Sequence, residues 1–274
     1  SFFGSFCSQK EQYPPGQKRI IERLNSMLTK AEIKRIRSLG DKSGRETERA
    51  FVVEGEKIVG ELLDSGFGVQ AVYRVGENLT VAEMARISFL RTPSPVLAVA
   101  EIPADRHAEQ SPRLPQGLAL ALDDVQDPGN VGTILRLADW FGVRSVYASP
   151  GTADCWNPKV VQATMGAIFR VRMHYGPLEP LLREAAQAGV PVYGTFLEGD
   201  DIYRCDLPQE GDAPGLLVMG NEGRGISAAV AAQVTQKLYI PPFPATAAGE
   251  TSESLNVAMA TAVALAEFRR RARL

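Results

Sequence analysis

The chain has few of the residues that metal centres and disulfide frameworks require. Its three cysteines, Cys7, Cys155 and Cys205, are odd in number and irregularly spaced, and its two histidines, His107 and His174, lie far apart. Such a set provides neither a disulfide framework nor a Cys-x-x-Cys metal pair. We therefore expect reduced cysteines and no metal site.

Long hydrophobic runs are also missing. The most apolar stretches, residues 117–122 and 257–266, fall well short of the roughly 20 residues that cross a bilayer. No apolar region precedes a cleavage site near the N-terminus, so a secretory signal is not indicated. The sequence predicts a cytoplasmic protein without membrane spans.

No large excess of charge of one sign is present. The chain has 30 basic and 32 acidic residues, a net charge of −2, which argues against a protein that coats nucleic acid nonspecifically. The charge is nevertheless uneven, because residues 18–49 contain ten basic and five acidic side chains. This basic segment suits RNA phosphates, and a solvated helix face would explain it equally well.

The N-terminal part predicts a small α/β domain. Apolar residues recur at helical spacing in residues 20–28, and Thr29 to Glu32 form a capping-box pattern before a helix that ends near Gly40. A strand from Phe51, a helix at 56–65 and a strand at 69–73 follow. Prolines in residues 103–116 then oppose regular structure. We assign a flexible N-terminal segment (1–18), a small α/β domain (19–102), a linker (103–116) and a larger domain (117–274).

The larger domain alternates between strand and helix patterns. We predict strands at 118–125, 145–148, 191–196 and 216–219, and helices at 130–141, 178–188 and 226–233. Such alternation is typical of a mostly parallel sheet that is covered on both faces.

A first segment, residues 123–136, runs from a strand through a Pro-Gly turn into a helix. Asn130 is the expected N-cap of that helix. Arg136 would lie near the sheet edge where ligands bind in open α/β folds, so its guanidinium fits a phosphate or a ribose. Alternatively, Arg136 is a surface residue paired with Asp139.

Two further segments carry glycine and asparagine. Residues 217–227 lead from an apolar strand into a turn with three glycines, which allow the backbone to approach a ligand. This turn differs from a Walker A loop. The third segment begins with residues 239–242 and continues through a loop to residues 253–258. These last residues open an alanine-rich helix suited to close packing. Packing accounts for the alanines but not for the preceding Ser-Leu-Asn.

Taken together over residues 118–270, the three segments resemble the SpoU (TrmH-type) branch of the SPOUT RNA methyltransferases. Residues 51–100 are similar to the ribosomal-protein-like substrate-binding domain often fused in front of it. The resemblance implies a parallel-sheet SPOUT domain with a C-terminal trefoil knot, an exception to unknotted topology. It also implies a homodimer formed through the catalytic domain, with the last helix as a candidate contact.

The implied activity is transfer of a methyl group from S-adenosylmethionine to a ribose 2′-hydroxyl of RNA, with ribosomal RNA as the expected substrate. The resemblance assigns catalysis to Asn130, Arg136, Glu222 and Asn256. It assigns the methyl donor, held mainly by backbone groups, to Thr195, Phe196, Leu197, Met219, Gly220, Asn221, Gly223, Ile240, Pro241, Ser254 and Leu255. A guanidinium is a poor base, so we expect Arg136 to bind the phosphate and orient the ribose.

Three alternatives stay open at this point. The chain could methylate transfer RNA, or bind RNA without turnover. A nicotinamide-dependent oxidoreductase is disfavoured, because no dinucleotide fingerprint follows the first strand of the larger domain. One departure from the family is the long loop at 243–252, where many relatives are shorter.

Overall fold

The structure is a computed structural model that describes residues 28–104, 114–208, 213–242 and 254–272. It contains a three-stranded antiparallel sheet, ordered β1-β3-β2, and a seven-stranded parallel sheet, ordered β6-β5-β4-β9-β7-β10-β8. The expected α/β architecture, a parallel sheet preceded by a small α/β domain, is confirmed.

The N-terminal domain consists of α1 (Lys30–Ser38), α2 (Lys42–Glu48), β1 (Ala50–Glu54), α3 (Glu56–Asp64), β2 (Val69–Arg74), α4 (Val81–Ile87) and β3 (Val96–Glu101). Thr29 caps α1 by accepting a hydrogen bond from the N–H of Glu32 at 3.1 Å. The complete capping box is at α4 instead, where Thr80 and Glu83 bond each other's backbone. Most of the predicted helix at 20–28, together with Cys7 and His107, lies outside the described residues.

The C-terminal domain consists of β4 (Leu118–Leu122), α5 (Pro128–Trp140), β5 (Ser145–Ala148), α6 (Pro158–Thr164), a 3-10 turn (Ala167–Phe169), β6 (Arg172–Tyr175), α7 (Leu178–Gln187), β7 (Val192–Phe196), β8 (Asp200–Asp201), β9 (Gly215–Met219), α8 (Ala228–Ala231), β10 (Gln236–Tyr239) and α9 (Val257–Arg271). Every residue of the central strands β4 and β9 is buried. Burial on both faces explains why these strands are continuous apolar runs.

Some predicted boundaries were wrong. Helix α5 begins at Pro128 and not at Asn130, because the side chain of Asp127 caps it by accepting the N–H of Asn130 at 2.8 Å. Strand β4 ends at Leu122, before Asp124 turns into the left-handed region at a φ of 56°. The sequence patterns missed α6, β6 and β10, which have only seven, four and four residues.

Among the described residues, no helix is long and apolar enough to cross a membrane. Within the same ranges, no group of three or more His, Cys, Asp or Glu side chains is arranged to hold a metal ion. The two described cysteines, Cys155 and Cys205, form no disulfide with each other.

The carboxylate of Glu267 forms ion pairs near the C-terminal end of helix α9. The side chain of Glu267 is 5% exposed and forms ion pairs of 2.7 Å with both Arg270 and Arg271. Arg271 also donates to the carbonyl of Tyr203 at 2.7 Å. Hydrogen bonds from Arg270, and then from Arg271, lower the pKa of Glu267 to about 2 against the opposing effect of burial.

This low pKa predicts an acid-dependent contribution to stability. A carboxylate whose folded pKa lies below its ordinary 4.5 stabilises the fold above pH 4.5 and loses that contribution as the pH falls through 2. We expect Glu267→Gln to lower the Tm at neutral pH. The difference in Tm between this variant and wild type should narrow below pH 4.5. Thermal unfolding across pH measures this. Glu184→Gln, the same change at an exposed residue, is the control. A difference in Tm between Glu267→Gln and wild type that does not depend on pH would contradict the low pKa of Glu267.

Candidate active site

The site lies at the carboxyl edge of the parallel sheet. Strands β4, β9, β7 and β10 are neighbours in that order and run in parallel. The segments that follow them therefore meet at one edge, where open α/β sheets bind ligands. All three glycine- and asparagine-bearing segments reach this edge.

Three predicted catalytic side chains form one hydrogen-bonded cluster, which we call the Asn-Glu-Asn cluster. Asn130 donates from Nδ2 to Oε1 of Glu222 at 3.0 Å. Asn256 in turn donates from Nδ2 to Oδ1 of Asn130 at 3.0 Å. Asn256 also caps α9 through its Oδ1. The cluster thus joins one residue from each of the three segments.

Asn130 is available for this cluster because it does not cap α5. Asp127 performs the capping, and Pro128 occupies the first helical turn, where the lack of an N–H carries no cost. The sequence contained this signal, since an Asp-Pro pair at a helix start is typical of a cap followed by its first helical residue. The side chain of Asn130 is therefore left to bridge Glu222 and Asn256.

Glu222 anchors the turn that precedes α5. Its Oε2 accepts the N–H of Gln126 at 3.2 Å, and its Oε1 accepts that of Asp127 at 3.1 Å. Partial burial alone would raise the pKa of Glu222, but hydrogen bonds from Asn130 and from backbone N–H groups outweigh it and lower the pKa. An ionised carboxylate already engaged in this way suits positioning better than proton abstraction.

Asn221 holds the glycine-rich loop in shape. Its Nδ2 donates to the carbonyl of Asp124 at 2.7 Å, and its Oδ1 accepts the N–H groups of Gly223 and Arg224 at 3.0 Å. Both ends of the amide are thus used within the protein. This side chain shapes the loop, and the backbone N–H and carbonyl of Asn221 are likewise bonded to Gly225.

Gly220 permits the closest approach within this loop. A Cβ at this position would lie against the backbone of Gly225 and Ile226, nearer than real Cβ atoms come. We expect Gly220→Ala to open the loop, lower the Tm and abolish binding of S-adenosylmethionine, measured by thermal unfolding and calorimetry. At Gly223 a Cβ would meet only Asn221 Oδ1 at 3.8 Å. Gly223→Ala should therefore keep the wild-type Tm. An equal decrease in Tm in the Gly220→Ala and Gly223→Ala variants would contradict the steric argument.

The other predicted donor-binding residues follow β7, β9 and β10 or precede α9. Oγ1 of Thr195 lies 3.8 Å from Sδ of Met219, which joins the ends of β7 and β9. Leu197 after β7 and Leu255 before α9 are exposed by 67% and 52%. Phe196, Ile240 and Pro241 are half-buried, and Ser254 is exposed. Exposed apolar side chains beside strand ends form a surface suited to a flat apolar ligand.

Arg136 is exposed and makes no hydrogen bond or ion pair with another described residue. Its alternative partner Asp139 is occupied, since Arg170 binds that carboxylate at 2.9 Å. The alternative of an Arg136–Asp139 pair is therefore wrong. Arg136 lies about 9 Å along the α5 axis from Asn130. Helical side chains lean toward the N-terminus, so the guanidinium can reach the carboxyl edge.

The sequence patterns did not single out a second polar group at this edge. Oγ of Ser149, after β5, donates to Oδ1 of Asp124 at 2.6 Å. The other oxygen of Asp124 lies 3.4 Å from Nη2 of Arg224, an exposed cation in the glycine-rich loop. The pairing of Asp124 with loops distant in the chain could not be predicted from local sequence.

Family models cover most of the chain. Residues 117–266 match the SpoU rRNA Methylase family, and residues 30–101 match the MRM3-like substrate binding domain. The chain is 30% identical over 252 residues to the 23S rRNA (guanosine(2553)-2′-O)-methyltransferase RlmP of Bacillus subtilis, covering 87% of this chain and 96% of that protein.

Solved structures agree with these matches. A TrmH-family protein from Porphyromonas gingivalis superimposes with a TM-score of 0.79 at 43% identity, covering 90% of this chain and 100% of that one. The AdoMet-bound rRNA methyltransferase of Sinorhizobium meliloti superimposes with a TM-score of 0.74 at 30% identity, covering 90% and 96%. The chain belongs to the SpoU rRNA methylase family.

Proposed function

We propose that this protein transfers a methyl group from S-adenosylmethionine to a ribose 2′-hydroxyl of RNA. The observation that carries this proposal is the Asn-Glu-Asn cluster, in which Asn130, Glu222 and Asn256 meet beside the donor-binding strands. The Bacillus subtilis relative is a 23S rRNA guanosine 2′-O-methyltransferase. The alternative of RNA binding without turnover would not require this cluster.

The methyl donor binds at the ends of β7, β9 and β10. The Sinorhizobium meliloti relative is bound to this cofactor. The edge fits it, because Gly220 and its neighbours allow close backbone approach and the exposed Leu197 and Leu255 suit the faces of an adenine. Of the eleven donor-binding residues named above, Asn221 contributes through its loop conformation.

Bound S-adenosylmethionine supplies an activated methyl group on a sulfonium, and the protein's task is alignment. The ribose oxygen would form a bond to the methyl carbon as the carbon–sulfur bond breaks, the sulfur would keep that electron pair as S-adenosylhomocysteine, and the hydroxyl proton would pass to solvent. Arg136 binds the adjacent phosphate and orients the ribose. Correct orientation of the reacting groups can supply about 7–11 kcal/mol of the activation barrier. The Asn-Glu-Asn cluster holds the start of α5, and with it Arg136, in register with the donor.

The RNA is ribosomal in this proposal. The relatives from Bacillus subtilis and Sinorhizobium meliloti act on ribosomal RNA. Exposed cations on α1 and α2, including Lys30, Lys34, Arg37 and Lys42, give the N-terminal domain a phosphate-binding face. Transfer RNA is the second candidate substrate.

Two features of the family and two predictions from the sequence extend the proposal. They are a homodimer with α9 at the contact, a C-terminal trefoil knot, the domain limits 19–102 and 117–274, and a cytoplasmic location. Met259 on α9 and Trp140 on α5 expose apolar surface that suits a dimer contact. The long loop at 243–252 lies outside the described residues.

Labelled methyl transfer tests the function. Calorimetry should detect S-adenosylmethionine binding, and incubation with ribosomal RNA and transfer RNA should label the ribosomal RNA at one ribose. Donor binding without labelling of any RNA would favour the non-catalytic alternative. Labelling of transfer RNA alone would reassign the substrate.

A further inference from the structure

The two domains share one apolar interface. The rings of Phe51 and Trp156 lie 4.6 Å apart between centroids, and those of Phe67 and Phe169 lie 5.2 Å apart. One continuous hydrophobic core includes residues of β1 and α3 and residues of the parallel-sheet domain. Relative motion of domains is the expectation only where the interface is small or polar. Here the N-terminal domain is fixed on the catalytic domain.

An ion pair with a buried guanidinium crosses this interface. Arg45 on α2 is 3% exposed in its side chain and donates from Nε and Nη2 to Oδ2 of Asp154, at 2.9 and 2.5 Å. Its Nη1 donates to the carbonyls of Leu39 and Gly40 at 2.8 and 2.9 Å. The guanidinium thus binds both domains at once. Removing Asp154 would leave the charge of Arg45 buried without its counter-ion, which is strongly unfavourable.

Asp154 lies in the loop between β5 and α6, residues 149–157, which also reaches the active site. The hydroxyl of Tyr175, on β6, bonds the backbone of this loop at two points. It donates to the carbonyl of Ala153 at 2.6 Å and accepts the N–H of Cys155 at 2.8 Å. Ser149, at the start of the loop, bonds Asp124, whose carbonyl accepts the side chain of Asn221. Hydrogen bonds at both ends of this loop, together with its backbone, therefore connect Arg45 to the loop that carries Glu222.

A second ionic contact fixes the same interface at another point. Arg170 bonds Glu61 on α3 at 2.8 Å and Asp139 on α5 at 2.9 Å. Two contacts at separate positions restrain rotation as well as separation. The half-exposed Arg170 contributes less than the buried Arg45 pair, because solvent screens it.

We propose that Arg45 and Asp154 are a positioning pair, which sets the distance between RNA held by the N-terminal domain and the Asn-Glu-Asn cluster. The N-terminal domain would then choose the methylated nucleotide by fixed geometry and would not merely capture RNA. The recognised partner is a folded RNA long enough to contact both domains. This inference rests on the proposed methyltransferase function.

The test uses Asp154→Asn in the full chain, which keeps the size of the side chain but replaces the carboxylate that pairs with Arg45 by a neutral amide. We expect kcat/KM on a ribosomal RNA fragment to fall by about 10- to 100-fold, as expected for a misplaced substrate. We also expect methylation to spread to neighbouring riboses, while the Kd for S-adenosylmethionine stays within about twofold. Asp64→Asn, the same change on an exposed residue of α3, should match wild type.

The spread of methylation is measured as a ratio between riboses, so it is independent of the fraction of folded enzyme. Arg45→Lys keeps the charge but loses the forked geometry, and should give a smaller spread. The inference is overturned if both variants methylate the single wild-type ribose with unchanged kcat/KM per active site. If wild type itself methylates no RNA, the proposed function fails first.

Discussion

Replacing Arg136 with alanine should abolish methyl transfer and leave the methyl donor bound. We expect kcat to fall on the order of 10³-fold, because a fixed cation that orients the substrate would be lost. Donor affinity should stay within about twofold, since Arg136 makes no hydrogen bond or ion pair with another described residue and lies on the helix after β4, whereas the proposed donor site follows β9, β7 and β10. Single-turnover methylation and calorimetry measure the two effects separately.

The Arg136 assignment can be contradicted in two ways. Equal losses of donor binding and transfer would mean that Arg136 serves the donor site instead of the RNA. Full activity in Arg136→Lys at neutral pH would show that charge suffices and the forked geometry does not matter. Arg144→Ala is the matched control, since Arg144 is exposed and precedes β5 at the opposite edge of the sheet. Both alanine variants should keep the wild-type Tm.

The second large effect is expected at Asn130. Asn130→Asp replaces the amide that donates to Glu222 with a carboxylate facing a carboxylate, while the bond from Asn256 can persist. The lost hydrogen bond and the added charge should raise the pKa of Glu222 and separate the turn from the glycine-rich loop. We expect a loss of transfer on the order of 10²-fold or more, which partly recovers at lower pH as one carboxylate takes up a proton.

Comparison with Asp127 separates this role from helix capping. Asp127→Ala removes the N-cap of α5 and should cost about 1 kcal/mol of unfolding free energy. Asn130→Ala keeps that cap and should change the unfolding free energy less than Asp127→Ala does, yet lose more activity. Denaturant unfolding and methylation rates test the pair. If Asn130→Ala were the less stable and more active of the two, Asn130 would be the structural residue.

Local sequence was informative where one segment decides its own structure. The apolar runs of β4 and β9 were predictable because strands buried on both faces contain few polar residues. Strand β5 was predicted with the bounds that the structure has. Short elements were missed, since the four residues of β6 include exposed positions and carry too little pattern. The cap of α5 was misassigned although Pro128 marked it.

The sequence by itself determined the family, the α/β alternation and the three segments of the candidate site, because turns, caps and strands depend on residues close in the chain. Only the tertiary structure decided which side chains meet. Asn130 and Glu222 are 92 positions apart, and Arg45 and Asp154 are 109 positions apart. The first pair meets because β4 and β9 are neighbours in the parallel sheet, and the second because an apolar interface joins the domains. Both depend on burial across the whole fold, which no local pattern records.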